Sequence, residues 1–109
     1  MIERRKHLRK NIHCHVFFEC SDAHGKKVSQ NIGMALDISE KGMLLESNAP
    51  IHASTIKVIV PVKEKDAVEV MGNVIYSIPT SDERYRTGIV FNEPGDDMAR
   101  LIATLSAKL

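Results

Sequence analysis

The sequence predicts an all-β domain, a six-stranded antiparallel barrel with one C-terminal α-helix, and three observations carry that prediction. Apolar and polar residues alternate along most of the chain, the alternating runs are short and punctuated by Gly, Pro, Asn, Asp and Ser, and only the tail shifts to helical spacing. Six such strands without helices between them favour a sheet that closes on itself, because closure removes exposed edges.

In the first strand Cys14, Val16, Phe18 and Cys20 share one face, and His13, His15, Phe17 and Glu19 the other, so the cysteines belong to the core side. Ser21-Asp22-Ala23-His24-Gly25 reads as a turn. The second strand is expected to turn Val28, Ile32, Met34, Leu36 and Ile38 inward. Ser29, Asn31, Gly33, Ala35, Asp37 and Ser39 then face outward, which puts Asp37 and Ser39 on the polar face beside a turn ending at Gly42. Further strands are read at 43–47, 55–60 (Ile56, Val58 and Val60 inward), 67–78 (Val68, Val70, Val74 and Tyr76 inward) and 84–91 (Tyr85, Ile89 and Phe91 inward). Met98, Leu101, Ile102, Leu105 and Leu109 then recur at helical spacing, behind Pro94-Gly95 and an Asp96-Asp97 pair suited to a helix N-terminus. The apolar stripe of this helix is expected to cover an open end or seam of the barrel, or to meet a second copy of the chain.

A chain of 109 residues with 43% apolar content suffices for one modest core. Residues 1–12 read as a flexible basic leader and 13–109 as the barrel and helix. Fifteen basic residues against fourteen acidic ones leave a net charge of +1, which excludes a general affinity for DNA, RNA or anionic membranes. Positive charge concentrates in Arg4, Arg5, Lys6, Arg9 and Lys10. No apolar run approaches the roughly 20 residues of a membrane span, and no signal-peptide pattern follows Met1, so a soluble, cytoplasmic protein is expected. Cys14 and Cys20 stand too far apart on an extended strand to bond to each other, which fits a reducing compartment.

Two short patterns carry chemistry: Arg5-Lys6-His7-Leu8-Arg9, and Asp37-Ile38-Ser39-Glu40-Lys41-Gly42 at the end of the second strand. Each has an ordinary reading, the first as a solvated tail and the second as a strand-end turn whose side chains bond nearby backbone and whose Gly takes positive φ. Arginine also offers paired donors that fit phosphate oxygens and the O6/N7 edge of guanine, while aspartate accepts from the donor edge of the same base. In this order the two patterns resemble the PilZ domain family, whose members bind cyclic di-GMP through an RxxxR segment and a (D/N)xSxxG turn. The later runs Gly72-Asn73-Val74-Ile75-Tyr76 and Tyr85-Arg86-Thr87-Gly88-Ile89-Val90-Phe91 agree with that resemblance.

The resemblance implies a PilZ-like split barrel and a bacterial cyclic di-GMP receptor without catalysis, its ligand held by Arg4, Arg5, Arg9, Asp37, Ser39 and Gly42; His7 and Lys10 read as solvent-exposed residues, with auxiliary contact to the ligand as the alternative. In the family a basic residue where Arg4 stands tends to accompany a stacked, two-molecule form of the ligand; for this chain one or two molecules per site both stay open. Ligand would order the leader against the barrel and alter docking to a downstream protein partner in motility, exopolysaccharide or biofilm control.

Other classes find less support. His13, Cys14, His15, Cys20 and His24 crowd together, but strand parity sets the histidines and cysteines on opposite faces and no Cys-x-x-Cys exists, so no metal and no cofactor is expected. No nucleophile elbow, Gly-rich phosphate loop or paired carboxylate pattern points to an enzyme. With no Trp, two Tyr and three Phe the chain lacks the stacking platforms of an oligonucleotide binder. The alternative from another class is a nucleotide-independent protein-interaction module using Phe17 or the amphipathic tail; it would keep its partner after removal of residues 1–10.

Overall fold

The computed structural model describes residues 10–92 and 96–107. Six strands follow in chain order: β1 (Lys10–Ser21), β2 (Lys27–Ile38), β3 (Gly42–Ser47), β4 (Thr55–Lys63), β5 (Asp66–Pro79) and β6 (Tyr85–Phe91), with one helix, α1 (Asp96–Ser106). They form a closed antiparallel ring in the order β1-β2-β3-β6-β5-β4, with β4 pairing back on β1. Closure leaves little open sheet edge among the described residues to template association. Residues 10–12, which the sequence reading gave to the leader, are the first residues of β1, where Lys10 pairs with Ile38 and Asn11 with Asp37.

The inner face is built as alternation demands in β1 and β4: Ile12, Cys14, Val16, Phe18 and Cys20 from the first, Ile56, Val58 and Val60 from the second, all buried. β2 departs from its expected parity. Val28 and Ile32 are exposed, Met34 and Leu36 half-buried, and Gly33 and Ala35 face the core instead. Space explains the inversion, since a Cβ on Gly33 would lie 3.1 Å from the Phe18 ring and 2.9 Å from Leu45. Large residues on both sides of the ring leave room only for small ones between them. A register shift between Ala35 and Asp37 then restores Ile38 to the interior.

The same device recurs at Cys20/Ser21 and Pro61/Lys63 and at two places that shape the outer face. One shift separates Asn11 from Cys14 in β1, where His13 adopts φ 79°. Another falls between Val74 and Tyr76 in β5, and Tyr76, expected inside, is 45% exposed with Ile75 beside it.

The β3–β4 connection folds over one end of the ring and buries Ile51, whose amide donates to Ser77 Oγ at 3.1 Å; Ser77 Oγ in turn lies 2.9 Å from Thr87 Oγ1. The seam between β1 and β4 is paired only from Phe17 to Ser21 of β1. Helix α1 packs on β5, β1 and β4 and buries Met98, Leu101 and Leu105 in the same core. Of the two expected roles for the apolar stripe, it performs the covering one. The Cys14 thiol, on the unpaired half of β1, donates weakly to the Leu105 carbonyl at 3.7 Å, satisfying one of the carbonyls that a helix end leaves open. Pro94, Gly95, Leu109 and the side chains of Asp96 and Asp97 lie outside the described residues.

Candidate ligand-binding site

Residues directly opposite on neighbouring strands point to the same face of a sheet. Register therefore assembles one row across the outside of the ring: Asn11 on β1, Asp37 on β2, Leu44 on β3, Gly88 on β6 and Tyr76 on β5. Three of the five register shifts among the described residues touch this row, at Asn11, Asp37 and Tyr76. Bulges commonly re-aim side chains beside functional sites. Here they bring Asp37 outward while its neighbour Ile38 stays buried, and they bring Tyr76 to the surface.

The turn from Asp37 to Gly42 closes through the Ser39 amide, which donates to the Gly42 carbonyl at 2.9 Å, and through Ser39 Oγ, which accepts from the Lys41 amide at 3.3 Å. Ser39 is only 3% exposed, so the expectation that it stands on the polar face with Asp37 is corrected: a hydroxyl that bonds the backbone inside a tight turn is drawn under it. The reason for glycine at 42 also differs from the positive φ that such turns suggest. Gly25 is the glycine with positive φ among the described residues, and a Cβ at Gly42 would stand 2.2 Å from the Ile89 carbonyl oxygen. Glycine is needed there because β6 backbone runs against it.

Beside the turn lies a shallow depression of ≈ 180 Å³ whose walls include Lys41, Gly42, Ile75, Tyr76, Gly88 and Val90. The Tyr76 ring rests across Gly88, where a Cβ would meet it at 2.4 Å. An aromatic face is thus laid from β5 over β6, about 10 Å from Asp37 at two strand spacings. At this size the depression seats part of a ligand, since sites enclosing a whole small molecule run to roughly 300–1,000 Å³. Larger hollows of ≈ 420 and ≈ 470 Å³ open beside Cys20 and His52 and beside Phe17 and Ile59, but no described lysine or arginine lines either.

One row further along the same face stand His15, Met34, Glu46, Arg86 and Ile78. Glu46 Oε2 lies 3.5 Å from Arg86 Nε, and its Oε1 3.9 Å from Arg84 Nη1.

Of the residues singled out in the sequence, Arg4, Arg5, Arg9 and His7 lie outside the described ones. Asp37 is half-buried on the outer row, Ser39 and Gly42 build the turn, and Lys10 is exposed on β1 opposite Ile38. Asn11, Lys41, Leu44, Tyr76 and Arg86 were not anticipated. The one available signal was Gly88 inside a strand, which marks a close approach, here by the ring of Tyr76. No cluster of His, Cys, Asp or Glu able to hold a metal ion occurs among the described residues.

A family model described as the PilZ domain matches residues 3–108. No curated protein matches the chain. Among solved structures, the chain is similar to the Bacillus subtilis inhibitor of motility MotI/DgrA (15% identity, TM-score 0.62, covering 98% of this chain and 50% of that one). It is also similar to the PilZ domain of Escherichia coli YcgR with c-di-GMP (15%, 0.57, 97% and 94%) and to the K. pneumonia MrkH–c-di-GMP complex (18%, 0.62, 97% and 52%). The chain thus spans about half the length of MotI and MrkH.

Proposed function

The chain belongs to the PilZ domain family, and from that premise we propose that it is a receptor for cyclic di-GMP that binds the dinucleotide on the outer face of the ring and performs no chemistry on it. The observation that carries the reading is the Asp37–Tyr76 row: an acceptor for the donor edge of one guanine at one end, an exposed aromatic ring on a glycine floor at the other, and the Lys41 turn between them. YcgR and MrkH, which share the fold, are known with c-di-GMP bound.

The basic segment adds further cations to this face. It is joined covalently at Lys10, whose strand partner Ile38 lies between Asp37 and Ser39, so Arg5 and Arg9 need travel only a short length of chain to reach the row. Arg4, Arg5 and Arg9 would hold the two phosphates, with Asp37 on a base edge and Ser39 and Gly42 keeping the turn in place. Phosphate neutralises the cations of the leader and pins it to the ring, which remodels the adjoining surface and changes its docking to a downstream protein. Signalling of that kind fits a cytoplasmic domain; among the described residues no helix is long and apolar enough to cross a membrane.

Isothermal titration with cyclic di-GMP tests the proposal. Saturable heat with the wild type, lost in Arg5→Ala and Asp37→Ala, is expected; a wild type that gives no heat rejects it. Tyr76→Ala should weaken binding more than Tyr76→Phe, because the ring and not the hydroxyl supplies the platform.

A further inference from the structure

We propose that Arg86 is a further phosphate-binding residue of this site, held in reserve by Glu46 and handed to the ligand when the dinucleotide arrives; the inference rests on the receptor reading above. Arg86 faces the same outer surface as Gly88, two residues away along β6 and therefore about 7 Å from the floor of the aromatic platform. Lys41 stands on the other side of that floor, since Gly42 pairs with Val90. A phosphate lying over Leu44, beside the Tyr76 ring that covers Gly88, is thus flanked by a lysine and an arginine, and the planar fork of arginine is the better partner for its oxygens.

Without a ligand this guanidinium is already engaged, but loosely. Its Nε stands 3.5 Å from Glu46 Oε2, beyond the short distances of strong charge-assisted hydrogen bonds, and its side chain is 49% exposed. Glu46 is different, with only 17% of its side chain exposed, so leaving it unpaired would be costly. Arg84 lowers that cost. It approaches the other carboxylate oxygen at 3.9 Å and can stay there when Arg86 departs. Glu46 therefore occupies, as a standing anion, the cation that a phosphate would take, and it sets how much charge a ligand must bring to displace it.

A double-mutant cycle measured by isothermal titration with cyclic di-GMP at one ionic strength tests this. Arg86→Ala should weaken binding about fivefold, and Glu46→Gln should tighten it about two- to threefold by freeing the arginine. In the double variant the Glu46→Gln gain should vanish. Glu69→Gln, which removes the same charge from a pair with Lys57 elsewhere on the ring, should leave affinity unchanged. The Arg86 Nε–H resonance should also shift on titration of the wild type. Should Arg86→Ala not fold, Arg86→Gln takes its place in the cycle. If the wild type binds but Arg86→Ala does so equally well, or the Glu46→Gln gain persists without Arg86, the inference is overturned and the receptor reading stands. A wild type that does not bind overturns both.

Discussion

Gly42→Ala is expected to destabilise the fold sharply, and the size of the effect follows from one approach of backbone to backbone. The added methyl would start 2.2 Å from the Ile89 carbonyl oxygen and 3.3 Å from its carbon, and neither belongs to a side chain that can swing away. β3 and β6 must separate, at a cost of about 1–3 kcal/mol by comparison with other overpacked sites. The separation also stretches the hydrogen bond from the Phe91 amide to the Lys41 carbonyl, now 2.8 Å, worth about 0.5–1.5 kcal/mol. Together these give about 2–4 kcal/mol, or a Tm lowered by about 8–16 °C at about 4 °C per kcal/mol for a domain of this size. Thermal unfolding followed by circular dichroism reads it directly. Gly42→Asn separates two explanations: asparagine tolerates positive φ, so it would be the mild substitution if conformation were the issue, whereas a steric requirement makes it at least as damaging as alanine. A Gly42→Ala protein melting within a couple of degrees of the wild type, or one rescued by asparagine, would refute the argument.

Gly25 should behave in the opposite way, because its φ is +81° and nothing lies within 4 Å of an added Cβ: Gly25→Ala costs about 1 kcal/mol, and Gly25→Asn much less, in the same melting assay. Leu105→Ala, which empties a fully buried position under α1 where the helix covers the β1–β4 seam, should cost about 2–5 kcal/mol in urea unfolding. Burial pushes the Cys20 thiol above its ordinary pKa, with a hydrogen bond from Ser29 pulling less strongly the other way. The native state then keeps this proton after the unfolded chain has lost it. The contribution to stability is complete below the unfolded thiol value and declines as pH rises above it, so wild type minus Cys20→Ala stability should fall above roughly pH 8.5. A difference that stays flat with pH would contradict that assignment.

The strands could be read from sequence because alternation reports burial wherever pairing is regular. Ile56, Val58 and Val60 all face the core, as do Cys14, Val16, Phe18 and Cys20. Parity fails where a strand carries an extra residue, since one insertion exchanges every later side chain between faces. Tyr76 is the case that mattered most: the shift after Val74 turned an expected core residue into the floor of the candidate site. In β2 the error had another source, because a pattern of hydrophobicity does not say that Phe18 and Leu45 have already filled the space opposite Gly33. The two motifs named the turn but not its partners. Asn11, Gly88 and Arg86 come from two strands distant in sequence, and only register brings them into line with Asp37 and Glu46.

The contact between the Cys14 thiol and the Leu105 carbonyl has a consequence for rearranged forms of this chain. It ties the last turn of α1 to β1 four residues, about 13 Å, beyond Lys10, so a linker of about ten residues from residue 107 to residue 10 would leave every strand pairing intact. New ends cut at Ala23 and His24, in the exposed turn that follows β1, should then yield a circular permutant with the native melting profile. A host protein could likewise accept this domain as an insert through linkers of that length.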